Sequence, residues 1–203
     1  MRKLFLFIVC FILFGVGIKA QRFPQAVLPG DYPDPSILRD GKDYYMTHSP
    51  FYYAPGFLIW HSTDLMRWEP VCRALPEYEG SAMAPDLLKY QGRYYIYYPT
   101  STGENYVIYA DDIRGPWSRP VKLDVRGIDP GHVVGEDGKR YLFTNNGWIT
   151  PLSDDGLKVT GKSRKVYDGW KYPANWVTEG KDMYLESPKL LYKDGYYYMM
   201  SAE

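Results

Sequence analysis

Three acidic residues occupy matching places in segments that otherwise repeat. Asp34 and Asp129 directly precede Pro35 and Pro130, and Glu186 lies one residue further out from Pro188. A further copy of the segment carries Ala84 before Pro85. An Asp-Pro pair on its own commonly starts a turn. Here the Ala84 copy shows that the turn forms without the acid, and Glu186 is a poor turn former. Three acids brought together repel one another, which disfavours ionisation of at least one and suits work on a substrate or a cation. Cleavage of a glycosidic bond needs two carboxyl groups, a proton donor to the leaving oxygen and a base or nucleophile opposite. A third acid beside the donor keeps it protonated near neutral pH. The longer Glu186 suits the donor.

For these residues to meet, the elements that carry them must be arranged about one axis. The repeated unit is a short apolar stretch, a Gly-bearing turn and a stretch rich in Tyr, beginning at Asp34, Ala84, Asp129 and Glu186. That is the pattern of a β-hairpin. The prolines are spaced by 50, 45 and 58 residues, close to the length of a propeller blade. After the first three hairpins come further strand-like stretches, at 57–61, 106–109 and 147–152, each leading into an Asp-bearing turn. The unit therefore predicts three to four strands per repeat. In a propeller the equivalent strand of every blade runs along the central channel, so residues far apart in sequence converge there.

Composition agrees with an all-β chain. The 203 residues include 21 Tyr, 6 Trp, 19 Gly and 16 Pro, without long helical periodicity. Residues 1–20 read as a secretory signal: a basic start, an apolar run too short for a comfortable membrane span, and Ala20 before the expected cleavage point. Lys and Arg balance Asp and Glu at 24 each. Loss of Arg2, Lys3 and Lys19 leaves a mildly negative chain with no basic footprint for nucleic acid. Loss of Cys10 leaves Cys72 alone, so no intrachain disulfide is expected. Aromatic side chains suited to stacking on sugar rings follow the hairpins: Phe51, Tyr52 and Tyr53 after the first, and Trp148, Trp170 and Trp176 after the third.

The motifs together resemble glycoside hydrolase family 43, near its β-xylosidase and α-L-arabinofuranosidase members. The resemblance rests on Gly30-Asp-Tyr-Pro-Asp-Pro-Ser-Ile-Leu38 with Asp43-Tyr-Tyr45, on Ile59-Trp-His-Ser-Thr-Asp-Leu-Met-Arg-Trp68, and on Ala84-Pro-Asp86. It continues through Gly127-Ile-Asp-Pro130 with Asp137-Gly-Lys139, and Glu186-Ser-Pro-Lys189 ahead of Asp194-Gly-Tyr-Tyr197. It implies a five-bladed propeller and an inverting, single-displacement hydrolysis. By motif position Asp34 is implied as general base, Glu186 as general acid, and Asp129 as the residue that orients the acid and modulates its pKa. Phe51 is implied at the border of the bound sugar, and Asp86 near the pocket. Two departures stand out: Met83 where many members place Trp, and Ser187 where Gly is usual.

These readings give an all-β chain: residues 1–20 a signal peptide, and 21–203 an incomplete propeller of about three and a half blades, truncated at its C-terminal side. The expected role is cleavage of O-glycosidic bonds in xylan- or arabinan-type carbohydrate, outside the cytoplasm in a secreted or periplasmic setting. No cofactor, nucleic acid or membrane partner is expected after signal cleavage. The resemblance allows a cation at the propeller axis, with its expected His ligand beyond this chain. Other readings are an endo-arabinanase, a retaining fructan-cleaving propeller, a sugar-binding propeller without catalysis, and an inert fragment of an active parent.

Overall fold

Strands β1 (Ser36–Asp40) and β2 (Asp43–Thr47) form the first hairpin, with Ser36 opposite Thr47 and Asp40 opposite Asp43. The computed structural model describes residues 26–78, 80–169 and 185–202. Residues 1–20, where the sequence suggests a signal, lie outside the described residues, as do Trp170 and Trp176. Strands β3 (Gly56–Ser62) and β4 (Glu69–Leu75) add to the hairpin in chain order. The second sheet repeats the plan with β5 (Asp86–Tyr90), β6 (Arg93–Pro99), β7 (Glu104–Ala110) and β8 (Val121–Arg126). The third uses β9 (Gly131–Val134), β10 (Arg140–Thr144), β11 (Trp148–Pro151) and β12 (Arg164–Lys165). Strands β13 (Glu186–Lys193) and β14 (Tyr196–Ala202) pair as a fourth, two-stranded sheet. All pairings are antiparallel between chain neighbours, and β1 touches β5, β5 touches β9, and β9 touches β13. This is a β-propeller arrangement of three four-stranded blades and one hairpin among the described residues, as the repeat spacing predicts.

The tyrosines of the second strand serve packing between blades. Successive side chains of a strand point to opposite faces. Along β6, Tyr94, Ile96 and Tyr98 join Phe57, Ile59, Ala74 and Leu75 of the first blade. Tyr95 and Tyr97 face the other way and join Leu142 and Leu152 of the third. One strand thus feeds two cores, and its near-continuous aromatic run needs no alternation with polar residues because neither face meets water.

At the inner edge, one kind of clasp repeats. The Leu87 N–H donates to Ser36 Oγ at 2.9 Å, and the His132 N–H donates to Asp86 Oδ2 at 2.8 Å. Ser36 and Asp86 each stand two residues beyond the pre-proline position of their blade. The equivalent residue of the third blade is Gly131, where an added Cβ would fall on the Pro188 carbonyl oxygen, so only glycine fits. The fourth blade answers with Lys189, whose Nζ donates to Asp86 Oδ1 at 2.8 Å and to the Pro130 carbonyl at 2.9 Å. Asp86 is therefore a tie between three blades, with both oxygens engaged by protein. The motif places Asp86 near the pocket, and the bonds it makes here are structural.

A second tie joins blades two and three. Arg140 is 1% exposed, and its guanidinium lies over the rings of Tyr90 and Tyr95. It donates to His132 Nε2, to the Tyr97 hydroxyl and to the Asp154 carbonyl. Its charge meets ring faces and neutral acceptors, an arrangement that stabilises a partly desolvated cation. His132 can accept from Arg140 only while Nε2 is unprotonated. Burial, reinforced by the Arg140 charge, pushes its pKa down to about 4.

Two outcomes are expected. Asp86→Ala removes the partner of Lys189 and of the His132 N–H, and lowers stability by about 2 kcal/mol, discounted because Lys189 is partly exposed. Adding Lys189→Met recovers part of that loss in a double-mutant cycle of denaturant melts. For His132 the unfolded chain binds its proton near pH 6.5 and the folded chain only near 4, so the contribution is whole above pH 6.5 and lost on acidification toward 4. Melting temperature therefore falls across that window, and falls less in His132→Gln, which keeps an acceptor but takes no proton.

Candidate active site

Proline disfavours the right-handed helical region for the residue before it. In each blade the pre-proline residue takes the left-handed conformation instead: Asp34 at φ 53°, Ala84 at 41°, Asp129 at 57° and Ser187 at 52°. This conformation costs an L-residue roughly 1–2 kcal/mol, least for Asp and more for Ala. Four such residues at one end of the inner strands mark a place where strain is held by surrounding structure, a common property of functional sites. Ser187, and not Glu186, is the backbone equivalent of Asp34 and Asp129. Glu186 stands one step before the kink and opens β13, opposite Ala202.

Each of the two aspartates has one oxygen held by hydroxyl or amide donors. Ser49, at the end of the first hairpin, donates its hydroxyl to Asp34 Oδ2 and accepts the Ala84 N–H at 2.6 Å. Ser187 donates its N–H to Asp129 Oδ2 at 3.0 Å, and its hydroxyl lies 3.4 Å from the same oxygen. The hydroxyl that stands here in place of the usual glycine therefore reaches Asp129. Burial pushes the Asp129 carboxyl above the usual range, and the negative charge of Asp34 adds to the rise. The Ser187 N–H and the Lys189 charge pull it down. Asp34 and Asp129, 95 residues apart in sequence, are thus electrostatic neighbours.

The third blade fixes where Glu186 stands relative to Asp129. A short turn, Asn145–Gly147, follows β10. Asn145 exchanges bonds with Ile128, N–H to carbonyl and Oδ1 from N–H, both at 3.0 Å. The Asn146 N–H donates to the Leu185 carbonyl at 2.7 Å. One turn therefore grips the residue before Asp129 and the residue before Glu186. It also leads into Trp148, which is 43% exposed and lines an open cleft with Arg126, Asn145, Asn146 and Lys162. Phe51 sits two residues past Ser49, its N–H bonded to the Ala82 carbonyl, and edges a recess with Tyr32, Pro33 and Tyr53.

Of the residues singled out from sequence, Asp34 is held by Ser49, Asp129 by Ser187, and Glu186 adjoins Ser187 in the chain. Phe51 follows Ser49, Trp148 follows the Asn145–Gly147 turn, and Asp86 lies within the inter-blade tie. Ser49, Asn145 and Asn146 were not expected. Ser49 and Asn145 fall at equivalent places in their repeats, each with its N–H on the carbonyl of the residue before the kink, Pro33 or Ile128. A polar residue recurring just after the Tyr-rich strand was the available signal. Among the described residues no group of three or more His, Cys, Asp or Glu is placed to hold a metal ion.

Comparison with known proteins places the chain in a family. Residues 23–203 match the family model described as Glycosyl hydrolases family 43. A xylosidase/arabinosidase of Butyrivibrio fibrisolvens is 34% identical over 87% of this chain and 38% of its own length. A xylan 1,3-β-xylosidase of a Vibrio species is 35% identical over 87% of this chain and 37% of its own. The crystal structure of the GH43 BlXynB protein from Bacillus licheniformis superposes with a TM-score of 0.76 at 33% identity, covering 89% of this chain and 38% of that one. The chain thus spans well under half the length of the relatives it matches. It belongs to glycosyl hydrolase family 43.

Proposed function

We propose that this chain carries the acid–base site of an inverting glycosidase that removes pentose units from xylan- or arabinan-type carbohydrate, in the manner of a β-xylosidase or α-L-arabinofuranosidase. The observation that carries the reading is the network in which Asp34 and Asp129 feel one another and Glu186 adjoins the Ser187 donor to Asp129. Similarity to a xylosidase/arabinosidase and to a xylan 1,3-β-xylosidase supports the same substrate class.

In this reading Asp34 takes a proton from a water molecule as the water oxygen attacks the anomeric carbon. The bond from that carbon to the leaving oxygen breaks, its electron pair stays on the leaving oxygen, and Glu186 supplies the proton. Asp34 ends protonated and Glu186 ionised, and exchange with solvent restores both. Asp129 is the third carboxyl of the set, in the role of orienting the donor and modulating it. Phe51 and Trp148 offer aromatic faces to sugar rings on either side. Proton transfer between carboxyl groups, water and sugar is sufficient for this chemistry, so the reading includes no cofactor. A signal at residues 1–20 would deliver the enzyme to a secreted or periplasmic setting, where plant polysaccharide is met.

Asp34→Asn and Glu186→Gln are each expected to lower kcat on aryl-xyloside or aryl-arabinofuranoside by roughly 10³-fold or more, with circular dichroism unchanged. Early-time NMR should show the product anomer opposite to that of the substrate, and a retained anomer would point to the fructan-type mechanism instead. The pH–rate profile should be bell-shaped. Asp129→Asn, by removing a neighbouring negative charge, should move its alkaline limb to lower pH.

A further inference from the structure

Ser49 is 3% exposed and belongs to neither a strand nor a core cluster, yet both its N–H and its hydroxyl are engaged around Asp34. Its N–H donates to the carbonyl of Pro33, the residue before Asp34, at 3.0 Å. Its hydroxyl oxygen accepts the Ala84 N–H at 2.6 Å and its hydroxyl proton goes to Asp34 Oδ2. A serine hydroxyl has one proton and two acceptor sites. With the Ala84 N–H directed at its oxygen, the proton is turned away from blade two and toward Asp34. We propose that Ser49 is the positioning residue of the Asp34 carboxylate, with the backbone of Ala84 as the anchor that sets the direction of the serine proton.

Two features follow from this assignment. Asp34 has one oxygen occupied and its carboxylate plane fixed, so Oδ1 is the atom left to receive a proton from water. Blade two, the one copy with no acid at its pre-proline residue or the residue before it, contributes its N–H at that very position. Ala84 adopts the same left-handed backbone as Asp34 and Asp129, at φ 41°. That backbone places a donor where Ser49 can use it, and a small side chain suffices. The missing carboxylate of the second repeat is thereby explained as an exchange of an acid for an amide donor to its neighbour.

The inference rests on the reading of Asp34 as general base, and the experiment separates the two. Ser49→Ala, Ser49→Cys, Ser49→Thr and Asp34→Asn are compared in the intact protein by kcat, KM, pH–rate profile and thermal melt. Loss of a hydrogen-bond donor to a carboxylate disfavours its charged form, so the acidic limb moves to higher pH in Ser49→Ala and, less far, in Ser49→Cys. The expected drop in kcat for Ser49→Ala is roughly 10- to 100-fold, with KM within about twofold. Ser49→Thr, which keeps the hydroxyl, returns the limb to its original place. Should Ser49→Ala fail to fold, the limb positions of the Cys and Thr variants decide. An acidic limb that stays fixed in the Ala and Cys variants, or a kcat unchanged by Ser49→Ala, overturns the positioning role while an inactive Asp34→Asn leaves the base reading intact. An active Asp34→Asn overturns both.

Discussion

The inner strand of each blade has a strand neighbour on one side only, so backbone groups along its other edge must find partners elsewhere. The propeller meets that constraint with side chains reaching from the adjoining blade. Ser36 receives the N–H of Leu87, and Asp86 receives the N–H of His132. Where a side chain is excluded, at Gly131, the neighbouring Lys189 and the Pro188 carbonyl fill the space. The inner strands are thereby locked at fixed height relative to one another. That fixed height sets the kinked pre-proline residues of successive blades at the same end of their inner strands.

The candidate site uses the same device one turn further along. The kinked pre-proline residues are followed by the clasp residues two positions later, so stability and chemistry alternate along one short stretch of every repeat. Asp129 shows the two in contact: its carboxyl is held by Ser187, while the Lys189 charge, committed to Asp86 and to the Pro130 carbonyl, acts on it from two residues away. Burial and the negative Asp34 work against those donors. The electrostatic character of the site is set by how the blades are tied as much as by its own acids.

Much of this was readable from residue order. Hairpins announced themselves because turn chemistry and strand periodicity are local, and the recurrence of proline marked equivalent positions. The tyrosine run of β6 followed from burial of both faces. Relations between blades were harder to read. Ser187 shares the backbone role of Asp34, yet the acid of that repeat is Glu186, and only the sign of φ separates them. The motif puts Asp86 near the pocket, and its alignment with Ser36 shows the clasp role that the motif alone does not reveal. Asn145 and Asn146 act through main-chain and amide groups on segments that arrive from far along the chain. Nothing in their local sequence states which segments those are.

The left-handed kink before each proline has a bearing on how such a molecule diversifies. Its geometry is the same whether the residue is an acid, an alanine or a serine, and what changes is only what that residue offers its surroundings. A ring built in this way behaves as a set of interchangeable sockets. Gene duplication supplies the sockets already aligned, and single substitutions then redistribute charge and donors among them without redesign of the scaffold. The blade that carries Ala84 is an example, lending an amide to its neighbour's acid while contributing none of its own.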